Sequence, residues 1–153
     1  MEDMHMHLKK GVTDISIMQK YVEKCKEMKL NRVLFLDHGN RMSPKHTPVL
    51  NETKVIDKFF ENIKIVKENN PDIEINAGIE SDFSYDEEFK EKEIKILKSY
   101  PFDYIIGSVH GMEKVNYIDY LQANIDMIKT YPINIVGHLK LRKEYEQYKE
   151  KIE

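Results

Sequence analysis

The feature that most constrains this chain is an alternation of two kinds of apolar segment. Short runs rich in Ile and Val cover residues 32–36, 73–79, 103–109 and 133–137, and a fifth, very short run covers 3–6. Compact Ile/Val runs of this kind predict strands buried on both faces. Helical periodicity fills the gaps. Ile17, Tyr21, Val22, Cys25 and Met28 fall on one face, as do Val55, Phe59, Ile63 and Val66. Ser84-x-x-Glu87 reads as a capping box, with Phe89, Ile94 and Leu97 behind it. A fourth helix uses Ile118, Leu121, Ile125 and Ile128, and a last one Leu141, Tyr145, Tyr148 and Ile152. The order is βα repeated five times, which predicts right-handed crossovers and a parallel α/β sheet.

Residues 1–153 read as one domain, without a linker, a low-complexity tract or a repeat. Five βα units are fewer than a complete eight-fold barrel uses, since such barrels usually need about 200 residues or more. The sheet is expected to stay open, to close irregularly, or to be completed by a second subunit, so a homo-oligomer is one expectation. The longest irregular stretch is 37–51, which holds Gly39, Pro44 and Pro48; loops of that length are often functional.

Composition closes off several classes. Hydrophobic residues make up 41% and charged residues 33%, against intrinsic disorder. No apolar run approaches the ~18–20 residues of a bilayer span, and the first ten residues lack the apolar centre of a secretory signal. The single cysteine, Cys25, allows no internal disulfide, so a reducing cytoplasm is expected. The net charge is −3, with lysines and acids interleaved along the helices, so neither nucleic acid nor a membrane is expected as partner. Cys25 reads as core. There is no Gly-rich phosphate loop and no G-x-S-x-G elbow.

The polar residues point to a site by position. Five of the six histidines lie at or just beyond the C-terminal end of a predicted strand: His5 and His7, His38, His110 and His138. The remaining strand ends in Glu80. In parallel α/β folds that edge is where ligands bind. His5-x-His7 has the strand period, which places both imidazoles on one side. Neutral imidazole and carboxylate suit Zn, Fe or Mn. Asp14 reads equally as a ligand or as the N-cap of the first helix. Arg41 reads as a bidentate phosphate grip or as a solvent-facing arginine, and Ser108 as a donor to a bound anion or to local backbone. Lys140 and His46 read as surface residues.

These residues sit in segments that resemble a known family. Asp3-Met4-His5-Met6-His7, Leu36-Asp37-His38-Gly39, Gly78-Ile79-Glu80-Ser81-Asp82-Phe83, the stretch from Tyr100 to His110, and Val136-Gly137-His138-Leu139 occur in order. They resemble the successive motifs of the polymerase-and-histidinol-phosphatase (PHP) superfamily, the third and fourth especially its histidinol-phosphate phosphatase branch. The resemblance implies a partial, five-unit version of a distorted β/α barrel with parallel strands, whose C-terminal rim holds two, and up to three, divalent ions (Zn, Mn or Fe). It implies that His5 and His7 bind the first metal and Glu80 bridges the first and second. His110 and His138 complete the second, and His38 binds the third, with Asp14 where some members have an acid or histidine. The family's last motif, Asp-x-His, has no counterpart here, and Lys140 stands where the family often has an acid. The activity implied is metal-dependent hydrolysis of a small phosphomonoester, histidinol phosphate in histidine biosynthesis being the example. Glu80 and His110 would be catalytic, and Arg41 and Ser108 would orient the phosphate. A metal-binding module without turnover, serving regulation or assembly, is the alternative.

Overall fold

Parallel neighbours need long crossovers, and the helical segments provide them. A computed structural model describes residues 1–40, 49–110 and 117–139. Its strands are β1 (Glu2–His7), β2 (Arg32–Leu36), β3 (Glu74–Asp82), β4 (Tyr104–Ser108) and β5 (Ile135–Val136). Between them lie α1 (Ile15–Glu27), α2 (Thr53–Asn69), α3 (Glu87–Ser99) and α4 (Tyr117–Thr130), with a 3-10 turn at Lys9–Thr13. The last predicted helix lies outside the described residues.

The strands are ordered β1-β2-β3-β4-β5, all parallel. The first half of β3 pairs with β2, from Glu74 to Ala77, and its second half pairs with β4, from Gly78 to Asp82. The sheet therefore climbs as it advances and curls into half of a barrel, the partial barrel that the family resemblance implies. Gly78 sits at the changeover. A side chain there would press within 3.0 Å of the Tyr104 carbonyl oxygen and 2.9 Å of Leu34 Cδ1, so the strands can approach only around glycine. β1 carries one extra residue between Asp3 and Met6 relative to β2, a bulge of the kind that re-aims side chains at a rim.

Alternation divides the apolar residues into two layers. Leu34, Leu36 and Ile106 line the concave face with Met4, Tyr104 and Ile135. Val33 and Phe35, one residue out of phase, face the helices and join Val22, Phe59, Leu97 and Met127 in the main core.

Local chemistry moves several boundaries. β3 runs past residue 79 because Glu80, Ser81 and Asp82 stay paired with β4. β5 has only two residues; the Asn134 side chain, not a strand carbonyl, accepts from Ile105 N at 2.8 Å. Asp86 caps α3 by accepting from Phe89 N, while Ser84 Oγ accepts from Asp86 N, so the predicted capping box gives way to a cap two residues later. In α1 the buried residues are Met18, Val22 and Cys25. Tyr21 and Met28 are exposed. The largest departure is α4, whose buried residues are Tyr117, Tyr120, Ala123, Asn124 and Met127, leaving Ile118, Ile125 and Ile128 in solvent.

Glu93, a fully buried acid on α3, ties two rim segments together. Its carboxylate accepts from Ser81 Oγ at 2.7 Å and from Asn40 Nδ2 at 2.8 Å. Burial holds this carboxyl above its ordinary range, against the pull of Ser81 and Asn40. An acid raised in the folded state adds stability below its unfolded pKa of about 4.3, and that stability is lost as pH rises through the raised value. Glu93→Gln keeps the shape and removes the titration. With metal chelated, the urea midpoint of the native chain is expected to fall relative to that of the variant as pH rises above the unfolded pKa of about 4.3. A pH-independent difference would contradict this.

Candidate metal centre

The parallel sheet brings the ends of all five strands to one edge, and the centre is built there around Glu80. Its side chain is fully buried on β3. The backbone on either side is pinned, Glu80 N donating to Asp37 O at 3.0 Å and Gly39 N donating to Glu80 O at 2.9 Å. The carboxylate thus has a fixed place between the end of β2 and β4.

Imidazoles gather around both oxygens. His5 Nε2 and His7 Nε2 lie 3.1 and 3.0 Å from Glu80 Oε2, and 2.9 Å from each other. His110 Nε2 and His138 Nδ1 each lie 3.5 Å from Oε1. Two triads that could hold an ion result, His5–His7–Glu80 and Glu80–His110–His138, with Glu80 common to both. His38 stacks on His7 with ring centroids 4.5 Å apart, and its Nδ1 lies 3.4 Å from Oε2; it belongs to neither triad.

Two observations fit divalent ions. Ligand atoms about 2.1 Å from one ion lie roughly 3.0–3.4 Å apart, close to the spacings seen here. Among the described residues the buried Oε1 has no hydrogen-bond partner of ordinary geometry, a costly state for a carboxylate oxygen unless a cation satisfies it. The donor set is imidazole and carboxylate without thiolate, which suits Zn, Fe or Mn.

The electrostatics follow from the crowding. Burial opposes ionisation of Glu80, yet hydrogen bonds from His5 and His7 and the proximity of His38 hold its carboxyl far below the usual range. Burial likewise opposes charge on His7, but the Asp37 and Glu80 carboxylates outweigh it and raise the imidazole to about 9. His138 goes the other way. Burial lowers it, and together with the repulsion of the neighbouring imidazoles outweighs the attraction of Glu80.

Local structure aims the rings. The Asp82 carboxylate lies two residues beyond Glu80, and its Oδ1 is 2.9 Å from His110 Nδ1. That contact holds His110 Nε2 toward Glu80. Asp37 Oδ1 stands 3.6 Å from His7 Nδ1 in the same relation. His138 adopts a left-handed backbone, φ 44°, uncommon for a residue with a side chain. Tyr120 Oη donates to its carbonyl at 3.1 Å. Gly137 is required beside it, since a Cβ there would collide with Ser108 Oγ.

The other sequence candidates are placed as follows. Ser108 is buried in the floor of the site, its Oγ 3.4 Å from His138 Nδ1. Asp14 is exposed and caps α1, accepting from Ser16 N and Ile17 N; the Ser16 hydroxyl and amide hold its carboxyl below the usual range. It is in neither triad. Arg41, His46 and Lys140 lie outside the described residues. Asp82, Asp37 and Tyr120 escaped the reading of the sequence. The strand period was a signal for Asp82, because Glu80-x-Asp82 repeats the logic of His5-x-His7.

A parallel α/β half-barrel with imidazoles and a shared carboxylate on its C-terminal rim defines a class of metal-site scaffold, and comparison with known proteins specifies it further. The PHP domain family model matches residues 3–153, and the chain belongs to that family. It is similar to the histidinol-phosphatase of Lactococcus lactis subsp. lactis (strain IL1403), 25% identical over 167 residues, covering 97% of this chain and 60% of that protein. Its fold is similar to the crystal structure of hisK from Listeria monocytogenes, a protein assigned as a histidinol phosphatase. There the TM-score is 0.55 and the identity 17%, over 85% of this chain and 59% of that one. The chain therefore spans about three fifths of either protein. Among the described residues, no helix is long and apolar enough to cross a membrane.

Proposed function

We propose that the chain is a metal-dependent phosphomonoesterase, with a small phosphorylated metabolite such as histidinol phosphate as substrate. The observation that carries the reading is the division of Glu80, one oxygen facing His5 and His7 and the other facing His110 and His138. His5, His7 and Glu80 would hold one divalent ion, Zn, Mn or Fe, and Glu80, His110 and His138 a second. His38 is a candidate for a third. When bound there, such ions supply Lewis-acid charge to a phosphoryl group and acidify water at neutral pH.

The chain's own part is placement. Glu80 fixes the two triads at one spacing. Asp82 holds the His110 ring, and the pinned backbone at His138 holds its imidazole over the rim. The Ser108 hydroxyl lies beside His138 and can donate to a phosphoryl oxygen. Arg41 follows the end of β2 by five residues in sequence and is proposed as the grip on the phosphate. In-line phosphoryl transfer depends chiefly on such alignment and charge neutralisation. Neither nucleic acid nor a membrane is proposed as partner, and a cytoplasmic location is part of the reading.

The test is phosphate release by the purified chain from histidinol phosphate and a panel of other monoesters, with and without chelation of divalent ions. Release that requires Zn, Mn or Fe supports the reading. Release indifferent to chelation contradicts it. Ions bound without release on any monoester would also overturn it, leaving the metal-binding module.

A further inference from the structure

Glu93 holds a core position on α3. The buried residues of that helix are Glu93 and Leu97, one turn apart, and Leu97 packs in the main apolar layer. An apolar side chain would fill the same place without the cost of burying a carboxyl group. What the acid adds is its contacts. Oε1 accepts from Ser81 Oγ at 2.7 Å, and Oε2 accepts from Asn40 Nδ2 at 2.8 Å and from Asn40 N at 3.3 Å. Gly39 lies against the same carboxyl group, where a Cβ would stand 2.6 Å from Oε1.

These contacts finish a ladder that the backbone leaves short. β2 ends at Leu36, and beyond it the chain follows β3 by an isolated parallel bridge, His38 to Glu80. The bridge is made by Glu80 N donating to Asp37 O at 3.0 Å and Gly39 N donating to Glu80 O at 2.9 Å. The His38 carbonyl accepts from Val49 N at 3.1 Å and Leu50 N at 2.8 Å, which ties the segment to the chain leading into α2 and not to β3. So short a bridge at the end of a strand opens readily unless something beyond it closes the end. The next rung would join Asn40 to the neighbour of Glu80 on β3, and Glu93 supplies it through side chains. Alternation directs Ser81 away from Glu80 and toward the helix layer, where Glu93 meets it. We propose that Glu93 is a positioning residue: by gripping Ser81 and Asn40 together it holds segment 37–40 against β3, and so fixes His38 beside Glu80. His38 Nδ1 stands 3.4 Å from Glu80 Oε2, and its ring centroid is 4.5 Å from that of His7, so a small parting of the two segments takes this imidazole out of the centre. What His38 would do there rests on the metal-centre reading; how it is held rests on the fold alone. The grip needs shape and polarity, not charge. A glutamine carbonyl would still accept from Asn40, and its amide would donate to Ser81 Oγ.

Native-state hydrogen exchange of the full chain, with metal chelated, reads the bridge directly. Glu93→Met keeps the bulk and removes the hydrogen bonds. It should speed exchange of the Glu80 and Gly39 amides by about 10–100-fold, the range that lost hydrogen bonds to a carboxyl group imply. The Glu74 amide, bonded to Asn31 O at the other end of β3, should change little. Glu93→Gln should stay within a few-fold of the native chain at all three amides. Gly39→Ala, whose Cβ takes the place of Oε1, should speed the Glu80 amide as Glu93→Met does, and it carries the test if Glu93→Met does not fold. Acceleration spread evenly over Glu80, Gly39 and Glu74 would make Glu93 a support of the whole fold and overturn the proposal. Unchanged exchange at Glu80 in Glu93→Met and Gly39→Ala would overturn it too, as would Glu93→Gln behaving like Glu93→Met. A Zn titration of the native chain separates this from the metal-centre reading: a chain that binds no ion counts against the centre, and the exchange pattern still decides the grip.

Discussion

Glu80→Gln should empty both halves of the centre at once. The side chain is buried between two pairs of imidazoles and gives one oxygen to each. An amide of the same shape carries no charge, and it presents an N–H₂ group to one of the pairs. Loss of a partner one step removed from a metal already costs about 10–100-fold in affinity. Loss of the shared ligand should exceed the upper end of that range, at both triads. Calorimetric titration with Zn or Mn is the measurement. Metal-dependent phosphate release should disappear with the ions. A substitution at His5 would behave differently, because it leaves Glu80, His110 and His138 intact. Equal losses from Glu80→Gln and His5→Ala would mean that the two triads do not share a ligand.

Asp82→Asn should separate the triads without touching a ligand. Asp82 Oδ1 lies 2.9 Å from His110 Nδ1, and the carboxylate is buried. Held there, the imidazole carries its proton on Nδ1 and offers the Nε2 lone pair to the centre. Asparagine keeps the volume and loses the charge, and its amide can turn its N–H₂ group toward the ring. The expected cost is about 10-fold for Asn and up to about 100-fold for Ala, confined to the Glu80–His110–His138 triad. A titration of Asp82→Asn should therefore resolve one step at the native affinity and one displaced. Two steps displaced together would show that Asp82 supports the fold of the rim and not one ring.

Much of this arrangement is legible in the sequence, for identifiable reasons. Strands buried on both faces leave compact Ile/Val runs, and each run here contains a strand; β2, β3 and β4 are buried as expected, whereas β1 and β5, at the two ends of the strand order, are only half-buried. A parallel sheet makes position along the chain equivalent to position at an edge. Histidines that end successive strands are therefore neighbours before any distance is known. The clustering of His5, His7, Glu80, His110 and His138 follows from that equivalence. Asp14, open between two readings, lies at the start of α1, where its oxygen satisfies the Ser16 and Ile17 amides.

What the sequence hides is decided by contacts between segments. α4 carries apolar residues on two adjoining faces, so periodicity cannot say which one meets the sheet. Tyr120 is committed inward by the His138 carbonyl, and Met127 by close approach to Gly107, which turns Ile118, Ile125 and Ile128 outward. Glu93 looks like one more surface acid on a charged helix until Ser81 and Asn40 are placed against it. The capping box at Ser84 loses to Asp86 because two caps compete within three residues, and the one nearer the helix reaches the Phe89 amide.

The central claim is that residues distant along the chain converge on Glu80 to hold divalent ions. The most direct measurement is the metal-to-protein ratio of the purified 153-residue chain after loading with Zn or Mn and removal of free metal, set beside the same ratio for Glu80→Gln. Two ions per chain, one for each triad, and close to none in the variant is the result the account predicts. No retained metal in the native chain, or an equal ratio in both proteins, would contradict it.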